Sequence, residues 1–386
     1  MEPFATNSDS RRQTELATAA QPMYAGRTGA HNPGMDSLGY SKPPKRGRMN
    51  VVRLILGVFA SLILFGLVAV ELFAWLLPQS LSDGGQWYGP MAAGSFFVRT
   101  FQLHIGVGVI FLSMLLAAVR WRRTAVVSLI AAIVLLTPFA RDFAPKNAPA
   151  SASPTLRMMT LNLYFQNRDE AAILRSIADA DPDVIVFVEV TDWSLKNVIQ
   201  KHLLERYEYV HQPPVDGVGM MLSRLPHRIG EPASNAGRSF GRQPVVFDVG
   251  RKEVAVYAVH LVSPGHLWLV ERNREQVAFF EEIAKAENRE MVIVGDCNFT
   301  QLTPNAAALH RVGMRTSHEL VGFGLGNTWG PRWWPSLNWM AGVRIDHVWL
   351  SRGLTATSSR VGLDTGSDHQ PVIADIGIAS PNTSTP

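Results

Sequence analysis

The stretch MVIVGDCNF, residues 291–299, decides how the rest of this chain is read. Met291-Val292-Ile293 is an apolar run of the kind a buried strand makes. The run ends at Gly295, and Asp296 and Asn298 then flank the lone cysteine, Cys297. Side chains alternate along a strand, so Asp296 and Asn298 share one face and Cys297 points the other way. A carboxylate beside a carboxamide can hold one phosphate-like group. The carboxylate takes a proton or faces a metal, and the amide donates to an anionic oxygen. Asp-x-Asn at a strand end is also an ordinary turn or cap. Its neighbours in the chain must separate the two readings.

Outward from this strand, short apolar runs alternate with helical spacing from residue 156 to 379. The pattern predicts strands at 158–163, 184–190, 218–222, 245–249, 254–261, 345–350 and 372–378, and helices at 169–180, 194–207 and 267–286. Such a mixture around one core predicts a two-layer or four-layer α/β domain. Residues 380–386 are left as a tail.

The ends of these strands carry a set of polar residues. Asn162 lies in the first, Glu189 closes VIVFV, and His260 closes EVAVYAVH. Asp346 and His347 sit in RIDHVWL, and Asp368 and His369 in GSDHQPV. Singly, each has an ordinary reading: a turn former, a helix cap, a satisfied core histidine. Together on successive buried strands they form a constellation, because carboxylates and imidazoles are costly to bury without partners.

This order of motifs resembles the endonuclease/exonuclease/phosphatase superfamily, which includes deoxyribonucleases, abasic-site endonucleases, neutral sphingomyelinases and inositol phosphatases. The resemblance covers about residues 156–378. It rests on six blocks in family order: the Asn strand, the Glu strand, the His strand, GDCN, the Asp346 block and SDH. It implies a four-layer α/β sandwich of two packed sheets flanked by helices, with the site at one rim.

It also implies roles. Glu189 would be the main metal ligand, with Asn162 beside it and Asp368 a further carboxylate on the metal or phosphate side. Mg²⁺ suits such hard oxygen donors, and Mn²⁺ could replace it. Asp296 would orient or deprotonate the attacking water, and Asn298 would hold a phosphoryl oxygen. His260 and His369 would neutralise the phosphate, with Asp346 fixing the tautomer of His369. His347 is secondary. The implied reaction is phosphoryl transfer to water.

One departure concerns the acid that pairs with the His260 position in many nucleases of the family. HQPPVDGVGMMLSR offers only Asp216, at loose spacing. The MMLSR strand is present, and it makes Arg224 either a site residue or half of a structural ion pair. A second cluster, NTWGPRWWPSLNWM at 327–340, contains Trp329, Trp333, Trp334 and Trp339. Trp329 reads as core packed under RIDHVWL. Trp333 and Trp334 follow no strand or helix period and read as a rim loop touching the outer leaflet or the lipid part of a substrate.

The N-terminal part differs in kind. Residues 1–153 carry 14 Lys+Arg against 7 Asp+Glu, whereas residues 154–386 carry 22 against 25. The net +4 therefore hides a basic N-terminal part and a slightly acidic remainder, which in bulk is not a basic nucleic-acid surface. With one cysteine there is no internal disulfide, and the redox compartment stays open. Residues 1–50 are rich in polar residues and read as a disordered tail with a basic end: Lys42, Lys45, Arg46, Arg48. Three apolar segments follow at 54–77, 96–119 and 124–140, within a predicted transmembrane region at 51–140. Residues 141–155 read as an Ala/Pro/Ser linker. Basic flanks at 42–53 and 120–123 put both on the cytoplasmic side and the catalytic domain outside a plasma membrane. Glu71 and His104 are costly in lipid and are placed near the outer boundary.

Three spans followed by an exported domain of this family also resemble a bacterial membrane group that includes glycopeptide-resistance-associated proteins, which are thought to act on lipid-linked phosphates. The leading expectation is a metal-dependent phosphoesterase acting on a lipid-linked phosphate or diphosphate. An extracytoplasmic nuclease or soluble phosphodiesterase stands second, and a non-catalytic membrane scaffold third.

Overall fold

The computed structural model describes residues 47–76, 88–147, 156–212, 219–235, 243–330 and 341–380. The chain divides at Arg48, and almost everything described belongs to the unit Met49–Pro386. The tail 1–46, linker residues 148–155, and Trp333 and Trp334 lie outside the described residues.

Among the described residues, twelve strands form two six-stranded sheets. The first sheet takes β1 (Leu156–Asn162), β2 (Val184–Val188), β3 (Tyr209–His211), β4 (Met220–Ser223), β11 (Leu354–Val361) and β12 (Val372–Ile378), in the order β11-β12-β1-β2-β4-β3. The second takes β5 (Arg228–Ile229), β6 (Val245–Val249), β7 (Lys252–His260), β8 (Glu290–Asp296), β9 (Arg315–Thr316) and β10 (Asp346–Leu350), in the order β5-β6-β7-β8-β10-β9.

Alternation along the strands builds three apolar layers. Met158, Val184, Val256, Val292, Val294 and Val348 interdigitate between the sheets. Met159, Leu161, Ile185 and Phe187 face away, onto Ile173 and Ile177 of the helix Glu170–Ala180 and Val198 and Ile199 of the π-helical segment Leu195–Leu203. Ala255, Tyr257, Met291, Ile293 and Trp349 face the helices Leu267–Ala286 and Pro304–Arg311. The result is helices, sheet, sheet, helices, as expected. Each fully buried Val, Leu or Ile contributes on the order of 1.5–3 kcal/mol.

The membrane region departs from expectation. Among the described residues, two helices contain runs long and apolar enough to cross a bilayer: Val51–Phe73, within the helix Gly47–Leu76, and Arg122–Phe143, which begins with the helix Arg122–Ala140. The expected middle span is broken. Its halves, Ala93–Thr100 and Gln102–Ala118, meet at 66° and make a third crossing only if the bent pair is one span. Polar residues beside the break explain it. Arg99 Nη1 donates to Leu302 O at 3.4 Å, and His104 Nε2 lies 3.0 Å from Ala341 O. Both ties lead to the α/β domain, and Ala93 and Phe96 join the apolar layer under the helix Leu267–Ala286. The segment expected as linker also begins later than 140. Asp142 is buried, and its carbonyl accepts from Gly324 N at 2.7 Å.

Candidate active site

The site follows from strand register. On the inward face of β1 the sequence Leu156-Met158-Thr160-Asn162 passes from apolar to polar toward one end, and β8 does the same in Val292-Val294-Asp296. Parallel pairing of β7 and β8 sets His260 opposite Asp296, and antiparallel pairing of β8 and β10 sets Asp346 opposite Asp296. Three side chains from three strands thus meet at one rim. Gly295 permits this closeness. Its φ is +140°, and a Cβ there would stand 2.0 Å from Val259 O.

Asp296 is the hub. Asn162 Nδ2 donates to its Oδ2 at 3.1 Å and to Glu189 Oε1 at 3.0 Å, so one amide joins the two sheets and two carboxylates. His260 Nε2 and His369 Nε2 each stand 3.8 Å from Asp296 Oδ2, too far for a hydrogen bond. His260 Nε2 is also 3.9 Å from Glu189 Oε1. His369 Nδ1 and Asp346 Oδ2 are 2.8 Å apart, the pairing the resemblance implied.

Burial and the charge of Asp346 push the Asp296 carboxyl up to about 7, against the pull of His369 and the Asn162 hydrogen bond. Burial alone would lower the His369 imidazolium. The carboxylates of Asp346 and Asp296 outweigh it and raise His369 to about 10. The rim therefore holds an imidazolium beside a carboxyl that exchanges its proton near neutrality.

Two expected roles are placed differently. Asn162 Oδ1, the atom that would bind a metal, accepts from Tyr164 N at 2.9 Å, because the facing carboxylates attract the NH₂ end. Asn298 Nδ2 donates to Leu261 O at 2.9 Å, and Asn298 N to Asp296 Oδ1 at 2.9 Å. Its amide fastens the end of β7 to the Asp296 turn.

Arg224 is not at the site. β4 runs antiparallel to β2, with Ser223 opposite Val184, so Arg224 lies at the far end of the sandwich. There it pairs with Asp181 at 2.5 Å and stacks on Tyr207. His347 is buried and bonds Phe299 O. Trp329 is not core: it is 37% exposed, and its Nε1 donates to Asp368 Oδ2 at 3.3 Å.

Other contributors gave weaker sequence signals. Thr328 Oγ1 accepts from both Ile345 N and Asp346 N at 3.1 Å, and Ser367 Oγ donates to Asn162 O and accepts from His369 N. Phe165 N donates to Glu189 Oε2 at 3.0 Å. Tyr164, Glu189 and Asn298 have φ of 57°, 55° and 54°. Left-handed non-glycine residues cost about 1–3 kcal/mol each and gather where a site over-determines them. Of these signals, only Asn298 follows from residue type.

The donor set suits a hard divalent cation. It offers carboxylates and imidazole and, since Cys297 is buried on the opposite face, no thiolate. Asp346 Oδ1 and Asp368 Oδ1 are buried without a hydrogen-bond partner. Asp296, Asp346 and His369 offer ligand atoms all within 4.8 Å of one another. The His369–Asp346 hydrogen bond occupies two of these groups, which leaves Glu189 and Asp296, on either side of one amide, as the stronger carboxylate pair.

The model of the endonuclease/exonuclease/phosphatase family matches residues 159–369, more than half of the chain. No curated protein matches. Among solved structures, an endonuclease/exonuclease/phosphatase from Beutenbergia cavernae is 22% identical, with 59% of this chain and 72% of that chain covered and a TM-score of 0.45. One from Bacteroides vulgatus is 15% identical, with 58% and 99% covered and a TM-score of 0.45. The human Nocturnin catalytic domain with bound sulfate is 13% identical, with 60% and 96% covered and a TM-score of 0.42. The strand-end constellation and the family match agree: the chain belongs to the endonuclease/exonuclease/phosphatase family, whose members are phosphoesterases and nucleases.

Proposed function

We propose that this chain is a membrane-anchored, metal-dependent phosphoesterase whose substrate is a lipid-linked phosphate ester or diphosphate at the outer face of the plasma membrane. The observation that carries the chemistry is Asp296 flanked by two imidazoles, with His369 held by Asp346. Asp296, with its carboxyl raised toward neutrality, takes a proton from the attacking water. The water oxygen bonds to phosphorus as the ester oxygen leaves. The His369 imidazolium faces the growing negative charge, and Asp346 fixes its ring and keeps it protonated. His260 or His369 returns a proton to the leaving oxygen. Mg²⁺ or Mn²⁺, held chiefly by Glu189 with Asp296 or Asp368 alongside, would supply charge neutralisation on the phosphoryl oxygens.

Membrane anchoring is supported by the two apolar helices and the bent pair. A lipid-borne substrate is supported by the domain's ties to those helices and by the slightly acidic residues 154–386, which offer no bulk attraction to nucleic acid. The Trp333–Trp334 pair is proposed to touch lipid.

The test uses the full chain in detergent. Bis(p-nitrophenyl) phosphate, an isoprenoid diphosphate and plasmid DNA are each assayed with Mg²⁺, with Mn²⁺ and with excess chelator. The expected outcome is metal-dependent cleavage with the isoprenoid substrate preferred, and loss of that preference in W333A/W334A. Faster nicking of DNA would make the chain a nuclease. No metal-dependent cleavage of any substrate would make it a scaffold. A C-terminal reporter active only in the cytoplasm should stay silent.

A further inference from the structure

The membrane helices grip three loops, all at the rim that carries the site. The first is 300–302, just after Asn298. Arg99 Nη1 donates to Leu302 O there, and Gln301 Nε2 lies 3.4 Å from Asp142 Oδ2. The second is 323–325, where Gly324 N donates to Asp142 O and Phe323 packs edge-on against Phe143. The third is 341–344, just before Asp346, where His104 Nε2 meets Ala341 O. At the centre is an ion pair between Arg344 Nη2 and Asp142 Oδ1 at 3.8 Å, with side chains only 3% and 1% exposed.

Arg344 reaches further. Its Nη1 donates to Leu325 O at 2.8 Å, so it holds the start of the segment 325–329. That segment joins Asp346 to His369. Trp329 bridges both Val343 and His369, Thr328 O accepts from Gln370 N at 2.7 Å, and Thr328 Oγ1 accepts from Asp346 N. An unbroken run of contacts therefore leads from Asp142, in the short turn Arg141–Phe143 that closes the last membrane helix, to the Asp346–His369 pair.

We infer that the membrane helices are a working part of the catalytic centre, with Asp142 and Arg344 as positioning residues that hold Asp346 and His369 in register. The inference rests on the phosphoesterase reading for its activity readout only. A buried guanidinium stays put when its carboxylate partner is present and is driven toward water when that partner is removed. Loss of the Asp142 charge should thus pull Arg344 off Leu325 O and loosen segment 325–329. A misplacement of about 1 Å in such a site costs on the order of 10²-fold in rate.

Two arms test this on the full chain in membranes. In the first, D142N and R344K are expected to lower kcat on bis(p-nitrophenyl) phosphate at least tenfold, with KM within twofold. K285A, which removes a surface ion pair with Glu281 on the helix Leu267–Ala286, should stay within twofold of the parent in kcat. Melting is followed in parallel, and kcat within twofold of the parent for both D142N and R344K overturns the inference. In the second arm a protease site is introduced within residues 148–155 and cut. Retention of the cut domain on the membranes, or its release with loss of turnover, sustains the inference, and release with unchanged turnover overturns it. The second arm decides if D142N and R344K fail to fold. If the parent chain is inactive on the diester, the phosphoesterase reading falls, while retention or release of the cut domain still judges the docking.

Discussion

The two ends of the sandwich use the same residue types in opposite ways. At the end away from the site, carboxylates meet arginine or lysine. Arg157 pairs with Asp375 at 2.7 Å, Lys252 with Glu290 at 2.5 Å, and Arg224 with Asp181 at 2.5 Å. The backbone joins in: Arg157 N donates to Asp183, and Ser351 Oγ to Glu290. At the site end, Asp296 and Asp346 are 1% exposed and face imidazoles and an amide, with no Lys or Arg ion pair among the described residues. Left-handed φ values at Tyr164, Glu189 and Asn298 add to the cost there, against one, at Asp181, at the far end. One end is arranged for stability. The other gives Asp296 and Asp346 imidazoles and an amide in place of Lys or Arg, groups that can exchange protons or make way for a metal.

The largest break in this contrast should come from Glu189→Ala and His369→Ala. Each is expected to cut metal-dependent turnover by about 10²-fold or more while the fold survives. Cys297→Ala should retain most turnover, because that side chain lies in the helix-facing layer. Hydrolysis of the diester that persists in Glu189→Ala under excess chelator would remove the metal from the account.

Asp296→Asn should separate stability from activity. The folded-state pKa of Asp296 is raised, so the folded chain binds this proton more tightly than the unfolded chain. Stability therefore falls as pH rises from about 4 to about 7, and the cost is fully present above that. His369 acts in the same direction: its raised pKa stabilises fully below about 6.5, and that contribution is lost as pH rises toward about 10. Asparagine carries no proton cost and takes one partner from His369. The melting temperature of Asp296→Asn relative to the parent should thus be more favourable at pH 8 than at pH 5. Turnover should fall about 10²-fold or more. In the parent, activity should drop as pH falls below about 7, and at lower pH where a bound divalent cation favours the carboxylate. An acid limb above pH 8, or the opposite order of melting temperatures, would break the assignment.

Much of the site was legible in the sequence, for a physical reason. Asp296, Asp346 and His369 sit at the ends of apolar runs, where burial makes a polar residue conspicuous, and strand register then brings them together. The sandwich was legible through the same runs. β11 was not, because LTATSSRV leaves half its residues partly exposed and has no apolar run. The break near Phe101 was hidden because hydropathy averages over Arg99 and His104 without showing that they bond the domain. Trp329 read as core because its size suggests burial, whereas its N–H reaches Asp368. The turns at Tyr164 and Glu189 are backbone conformations that residue type does not announce.

The far end should yield smaller effects. Arg157→Ala removes an ion pair whose arginine is 42% exposed, so solvent screening holds its worth to about 1 kcal/mol or less. The expected result is a melting temperature lower by a few degrees, as that loss implies for a domain of this size, with kcat and KM within twofold of the parent. A large kinetic loss would mean that the two ends are coupled through β1, which carries both Arg157 and Asn162.

Arg224→Ala is the finest test, because residue type and spacing alone left Arg224 open as a phosphate-binding residue. What decides its place is strand direction. Met220 lies beside Phe187, near Glu189, and Ser223 beside Val184, so each step along β4 leads away from the site. Nothing local in MMLSR encodes that direction, which is set by where the chain returns after β3. At the far end Arg224 shares Asp181 with Arg206, and its guanidinium lies 5.0 Å from the Tyr207 ring centre. A second arginine on the same carboxylate softens its loss, so the stability change should be smaller than for Arg157→Ala. Turnover on the soluble diester and on the lipid-linked substrate should stay within twofold of the parent. A tenfold rise in KM with the melting temperature unchanged would return Arg224 to the phosphate and reverse the contrast between the two ends.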